Sequence, residues 1–459
     1  MAAEALPTTR AVLLADAARR AARYLEGLDA RSVAPAAAAL AGLARLDRSM
    51  PAEPTPDAAV LAELDELVSP ATMGMAGPRF FGFVIGGALP VTVASNWLAT
   101  AWDQNAALER VTPGVAALER VALRWLVELL GLRADTEGAF VTGATMANLA
   151  SLAAARHRVL ARAGWSVEAD GLFGAPPIEV IVGEEVHPTL LKALGVLGLG
   201  RSRVRRVPVD AQGRMIASEL PRITGPTIVC LQAGNLNSGA FDPIRAVCER
   251  AAAAGAWVHV DGAFGLWARA CPELAPLADG LELADSMATD AHKWLNVPYD
   301  SGIALVRDAE ALRAAMAVTA AYLPTDGVTR NPSDYTPELS RRARGVDVWA
   351  ALRGLGRRGL AEMLARTCRH ARRFASGLQS AGFEVLNDVV LNQVVVAFGD
   401  ERRTQRVIDA VQREGTCWCG VTHWRQRLAM RISVCSWATG DADVERSLAA
   451  IVAAARATG

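Results

Sequence analysis

Two lysines, Lys192 and Lys293, stand among 46 arginines in this chain of 459 residues. A guanidinium stays protonated and delocalised, so it can solvate and pair but forms no imine with an aldehyde. Lysine and arginine interchange at ordinary surface sites, so two survivors by chance is the bland explanation. The context of Lys293 argues against it. This lysine closes Ser286-Met287-Ala288-Thr289-Asp290-Ala291-His292-Lys293 and precedes Trp294, just after a short apolar run that reads as a strand. A partly desolvated amine beside a second potential cation gives up its proton more readily and becomes a nucleophile.

A second constellation is Trp257-Val258-His259-Val260-Asp261-Gly262-Ala263. A carboxylate closing an apolar strand can keep a nearby pyridinium nitrogen protonated, and a protonated ring is an electron sink. An imine-forming lysine with such a carboxylate describes the demands of pyridoxal 5′-phosphate (PLP). Ala263 would give its ring a flat floor, although an Asp before glycine also serves as a plain turn former. His259 is assigned to the opposite face of this strand and to a structural role. His187, in Glu184-Glu185-Val186-His187-Pro188, follows another strand and reads either as a helix cap or as a ring-stacking group. In Val141-Thr142-Gly143-Ala144-Thr145-Met146-Ala147-Asn148, the free N–H groups and the Thr145 hydroxyl at a helix start would suit a phosphate. A plain N-cap looks the same. No Gly-Lys-Ser/Thr follows, and Gly195, Gly198 and Gly200 do not match the dinucleotide order. Cys417 and Cys419 lack companions at zinc spacing, so no metal is expected.

The elements around these residues predict an α/β fold, mostly parallel, flanked by helices. Strands are expected at Ala139–Val141, Glu179–Val182, Val204–Val209, Thr227–Leu231, Trp257–Val260, Asp285–Thr289 and Ile303–Val306. Helices are expected near Thr145, Pro188, Ser218 and Pro243. Short apolar runs separated by helices mean crossover connections. Ligands in such sheets bind outside the carboxyl ends of the strands, where every residue above falls. An N-terminal helix covers about Thr9–Leu28, and another starts at Thr112-Pro113, with Thr112 as N-cap. Residues 1–75 are read as an N-terminal helical segment for dimerisation, 76–349 as the large domain, and 350–459 as a small α+β domain.

The zero formal charge and the lack of a basic run argue against nucleic acid. The uncharged stretch from Phe80 to Trp102 is long enough for a bilayer. It contains Gly82, Gly86, Gly87 and Pro90, so it reads as a loop with a short helix, and no membrane association is expected. Seven scattered cysteines and an N-terminus without a secretory pattern predict a cytoplasmic protein.

Order and spacing of these motifs resemble the PLP-dependent group II amino-acid decarboxylases, of fold type I. Asp290-Ala291-His292-Lys293-Trp294 is similar to the family's cofactor-lysine motif, and His187 with Lys192-Ala193 to its stacking histidine. Val258-His259-Val260-Asp261 is similar to its aspartate strand, and Ala233-Gly234-Asn235 with Gly239 to Pro243 to a cofactor-contacting loop. Ser340-Arg341-Arg342 and Trp349 match the stretch entering the small domain. Gly262 stands where the family usually has alanine, Asn235 where it often has threonine, and Asp290 where some animal members have asparagine. The resemblance implies PLP as a Schiff base on Lys293, contacts from Gly143, Ala144, Thr145, Asn235, Ala263, Asp290 and His292, and a homodimer. It also implies that Tyr322, on a loop with Pro324 and Gly327, returns a proton to the α-carbon after CO₂ leaves. An aldehyde synthase, aldolase or aminotransferase on the same scaffold, and a non-catalytic binding protein, stay open. Phe80, Phe81, Phe83 and Trp97 are read as pocket lining or core.

Overall fold

The computed structural model describes residues 9–318 and 329–458. Seven strands form the main sheet: β1 (Glu137–Val141), β2 (Glu179–Gly183), β3 (Arg205–Val207), β4 (Thr227–Gln232), β5 (Trp257–Asp261), β6 (Ser286–Asp290) and β7 (Gly302–Val306). Their order is β1-β7-β6-β5-β4-β2-β3. The pairs β2–β3, β2–β4, β4–β5 and β5–β6 are parallel, whereas β7 runs against both β6 and β1. Strands β5, β6 and β7 are buried along their whole length, as expected where both faces of a sheet are covered. The helix Ala144–Arg162 covers one face with an alanine-rich surface, buried from Ala147 to Ala155 apart from Leu149. On the other face Phe264, Trp267 and Trp294 fill the core.

The expected helix near Ser218 is a single 3₁₀ turn, Ala217–Glu219. Pro221 follows at once and cannot supply a helical N–H. Thr112 does precede the helix Pro113–Leu129, but its hydroxyl donates back to Leu108 O instead of capping. The helix Gly345–Ser380 runs through the expected domain boundary and breaks at Gly356, where φ is +60°. Its second half backs an antiparallel sheet of β8 (Glu384–Val385), β9 (Gln393–Ala397), β10 (Gly420–Trp424) and β11 (Arg427–Ser433), ordered β10-β11-β9-β8.

Phe80 and Phe81 are core, 2% and 1% exposed, while Phe83 and Trp97 reach the surface. The segment holding them resolves into a loop and the helix Pro90–Trp102. Among the described residues no helix is long and apolar enough to cross a membrane. The first helix, Arg10–Glu26, buries none of its residues and leaves Val12, Leu14 and Leu25 exposed.

Candidate active site

The ends of β5 and β6 lie side by side, β1 lies one strand further on across β7, and the turn between β6 and β7 carries Lys293. Antiparallel closure of β7 onto both β6 and β1 presses this turn against the start of the helix Ala144–Arg162. The approach is close. A methyl group on Gly302 would lie 2.4 Å from Gly143 Cα, so only hydrogen fits there. At Gly143 itself an added methyl would stand 3.3 Å from both Asp290 Oδ1 and His292 Cε1.

Asp290 ties this corner together. Its Oδ1 accepts the Ala144 N–H at 2.5 Å, and its Oδ2 pairs with Lys293 Nζ at 2.8 Å. His292 Nε2 stands 3.5 Å from Asp290 Oδ1, while Ser301 N–H donates to His292 Nδ1 at 3.0 Å. That donation makes Nδ1 the acceptor and leaves the proton of the neutral ring on Nε2. Burial holds His292 below the usual histidine range, against the pull of Asp290. The Lys293 side chain is 23% exposed, with its amine at the mouth of the sheet.

Asp261, at the end of β5, is buried at 5% exposure. It accepts from Asn148 Nδ2 at 3.1 Å and from the Ala263 N–H at 3.2 Å. Burial raises its carboxyl, and the charges of His187 and Lys293 oppose that rise. Ala263 is pinned, because its carbonyl accepts the Asp290 N–H at 2.9 Å. His187 caps the helix Pro188–Val196: its Nδ1 accepts the Thr189 N–H at 3.3 Å. Burial lowers its pKa, and the charges of Asp261, Lys293, Arg431 and Asp290 all reach it. Capping therefore fixes the ring, and His187 lines a narrow cleft together with Asp261.

Two site residues from the sequence have no direct contact with this cluster. Asn235 Oδ1 accepts the N–H groups of Asn237 and Ser238, at 2.8 and 3.2 Å, so its side chain builds its own loop. The Thr145 hydroxyl has no hydrogen-bond partner among the described residues. It stands in the first turn of the helix beside Gly143, where the Ala144 N–H is already taken by Asp290 and the Met146 N–H by Gly143 O. Tyr322 lies outside the described residues. His259 does not face away from Asp261, as the sequence reading had it. Positions i and i+2 of a strand share a face, and Asn148 touches both side chains.

These residues fit PLP: an amine in a turn, a buried carboxylate with no cation bonded to it among the described residues, a helix start with an unpaired Thr145 hydroxyl, and a glycine cradle. The family model described as the pyridoxal-dependent decarboxylase conserved domain matches residues 41–398. The chain belongs to this family. Tryptophan decarboxylase 1 of Oryza sativa subsp. japonica is 30% identical over 336 residues, 68% of this chain and 65% of that protein. The aromatic-L-amino-acid decarboxylase of Bacillus atrophaeus is 30% identical over 292 residues, 61% of this chain and 58% of that protein. The matches thus span less than two-thirds of these relatives. The solved structure of Oryza sativa TDC with PLP and tryptamine superposes with a TM-score of 0.91 at 24% identity, covering 99% of each chain, which shows the fold.

As a pyridoxal-dependent decarboxylase family member, the chain departs from the usual alanine at Gly262 for a steric reason. A methyl there would stand 2.8 Å from Leu266 Cβ. The structure also adds residues that the sequence reading missed. Arg431, on β11, is 6% exposed, donates to Leu236 O at 3.3 Å and pairs with no carboxylate among the described residues. Its desolvation lowers its pKa to about 10. Its one sequence mark is position: a charge inside the apolar run Met430 to Val434. Tyr299 stacks on His292, with ring centroids 4.2 Å apart. Asn148, quoted above only as the end of a motif, holds Asp261.

Proposed function

We propose that this chain decarboxylates an L-amino acid to the amine and CO₂, with PLP bound as a Schiff base to Lys293. The observation that carries the reading is the nearness of Lys293, Asp261 and His187 at the strand ends, within reach of each other's charges. PLP, when bound, accepts the electron pair of whichever α-carbon bond stands perpendicular to its ring.

The chain's own residues then set the outcome. Lys293 Nζ exchanges its pairing with Asp290 for the cofactor linkage, and Asp290 stays anchored through Ala144. Asp261 would hold a proton on the pyridine nitrogen, and His187, its Nδ1 occupied by Thr189, would pack over the ring. Gly143, Ala144 and Thr145 would hold the phosphate at the helix start, where the Ala144 N–H already serves Asp290 and the Thr145 hydroxyl has no hydrogen-bond partner among the described residues. Arg431 offers the substrate carboxylate a charged fork, already desolvated. Holding that carboxylate chooses which bond breaks. Tyr322 returns the proton to the α-carbon, by the resemblance noted above.

The exposed apolar side chains of the first helix, with Trp97, Leu98 and Trp102 of the helix Pro90–Trp102, support a homodimer. The seven cysteines are free and buried, which suits a reducing cytoplasm. The test is a panel of amino acids with the PLP-loaded enzyme, following CO₂, amine, keto acid and aldehyde together. Amine and CO₂ in equal amounts are expected. Keto acid without CO₂, or aldehyde with peroxide, overturns the reading. Lys293→Ala should reduce turnover by at least about 1,000-fold, since the nucleophilic amine is gone.

A further inference from the structure

One face of β5 holds a chain of side-chain hydrogen bonds ending on Asp261. Trp257 Nε1 is 2.8 Å from Ser286 Oγ, which is 2.9 Å from His259 Nδ1. His259 Nε2 is 2.8 Å from Asn148 Oδ1, and Asn148 Nδ2 is 3.1 Å from Asp261 Oδ2. None of the five residues is more than 5% exposed.

Chemistry at the two ends fixes the direction of every link. An indole N–H only donates, so Ser286 Oγ accepts from Trp257; with no other acceptor among the described residues, its own hydrogen goes to His259 Nδ1. An ionised carboxylate only accepts, so Asn148 presents its NH₂ to Asp261 and its carbonyl oxygen to His259. His259 must then carry its proton on Nε2 and none on Nδ1. A doubly protonated ring would make Ser286 Oγ accept twice and leave its own buried hydrogen without an acceptor. Burial supports the neutral form by pushing His259 down to about 3.

We propose that His259 is a positioning residue, which through Asn148 holds Asp261 as an anion aimed at the ring nitrogen of PLP. The inference rests on PLP occupying the site as proposed above. Asp261 needs such support because burial raises its carboxyl. Around it stand the charges of His187 and Lys293, the Ala263 N–H and Asn148, and among the described residues only Asn148 bonds it through a side chain. Aligned donors polarise one another, so each link strengthens the last.

The test uses the holoenzyme and three variants. Nitrogen-15 NMR of histidine-labelled enzyme should show His259 neutral, with the proton on Nε2, from about pH 5 to about pH 9. His259→Phe fills the space but breaks the relay. Its dissociation constant for PLP should rise about tenfold, and the pH midpoint of the bound cofactor's visible absorbance should shift. His259→Gln, which can donate and accept at once, should recover most of both. Should His259→Phe fail to fold, Ser286→Ala removes a single donor and should weaken PLP about threefold. A titrating His259, a proton on Nδ1, or a folded variant with wild-type affinity and spectrum overturns the relay. If the wild-type chain itself bound no PLP, the functional reading would fall instead.

Discussion

Arg341 and Arg431 are buried almost equally, at 5% and 6% exposure, in different sheets' surroundings. Arg341 Nη1 donates to Glu119 Oε2 at 2.8 Å and to Ala106 O at 2.7 Å, and Nη2 to Phe140 O at 2.8 Å. Arg431 has one carbonyl, at 3.3 Å, and no carboxylate among the described residues. Both leave Nε unpaired, so the missing anion is what distinguishes them. Burying a charge costs several kcal/mol unless a partner compensates. Where the fold supplies the partner, the arginine is scaffold. Where it does not, a ligand's carboxylate is the natural complement.

The largest effect should come from breaking the complete pair. Arg341→Met leaves Glu119, which is 1% exposed, with only Arg330 at 3.6 Å among the described residues, and should destabilise the chain by about 3 kcal/mol in denaturant unfolding. Removing both charges, with Glu119→Leu added, should restore most of that loss. A single variant as stable as the wild type would erase the contrast between the two arginines.

Arg431→Met should behave in the opposite way. With no internal partner stranded, unfolding should be unchanged or shifted to higher denaturant. The kcat/KM for the amino acid should fall about 100-fold, the equivalent of about 2.7 kcal/mol for a charge-assisted fork. Arg431→Lys should recover only part, since a point charge lacks the fork. Lost stability with unchanged kinetics would make Arg431 scaffold too.

The chemistry of the strand ends was legible because Lys293, Asp261 and His187 each follow a short apolar run, and topology sends such positions to one edge. Arg431 was not. It is one of 46 arginines, and what marks it is a missing partner, a property of three dimensions. The face of His259 was misassigned through a parity error that the contact with Asn148 exposes. Asn235 matched a motif, yet its loop bonds depend on Asn237 and Ser238 folding back on it. The reversal of β7 left no mark in the composition of Gly302–Val306, because a strand buried on both faces reads alike in either direction.

Asp242 lies between the two arginines in kind and sharpens the comparison by the smallest effect. It is 7% exposed and accepts two backbone N–H groups, from Met215 and Gln232, each at 2.7 Å. No cation pairs with it among the described residues. Two dipoles compensate less than a charge does, and burial lifts its pKa to about 6 despite them. A carboxyl raised in the folded state binds its proton more tightly there than in the unfolded chain. Its contribution to stability is therefore full below about pH 4 and is lost as pH rises through about 6. Asp242→Asn cannot titrate, so the stability of the wild type relative to this variant should fall by about 3 kcal/mol between those limits. Denaturant unfolding of both proteins from pH 4 to pH 7 would measure it. Parallel pH profiles would mean that the two backbone donors suffice, and that a buried charge here needs no ion to balance it.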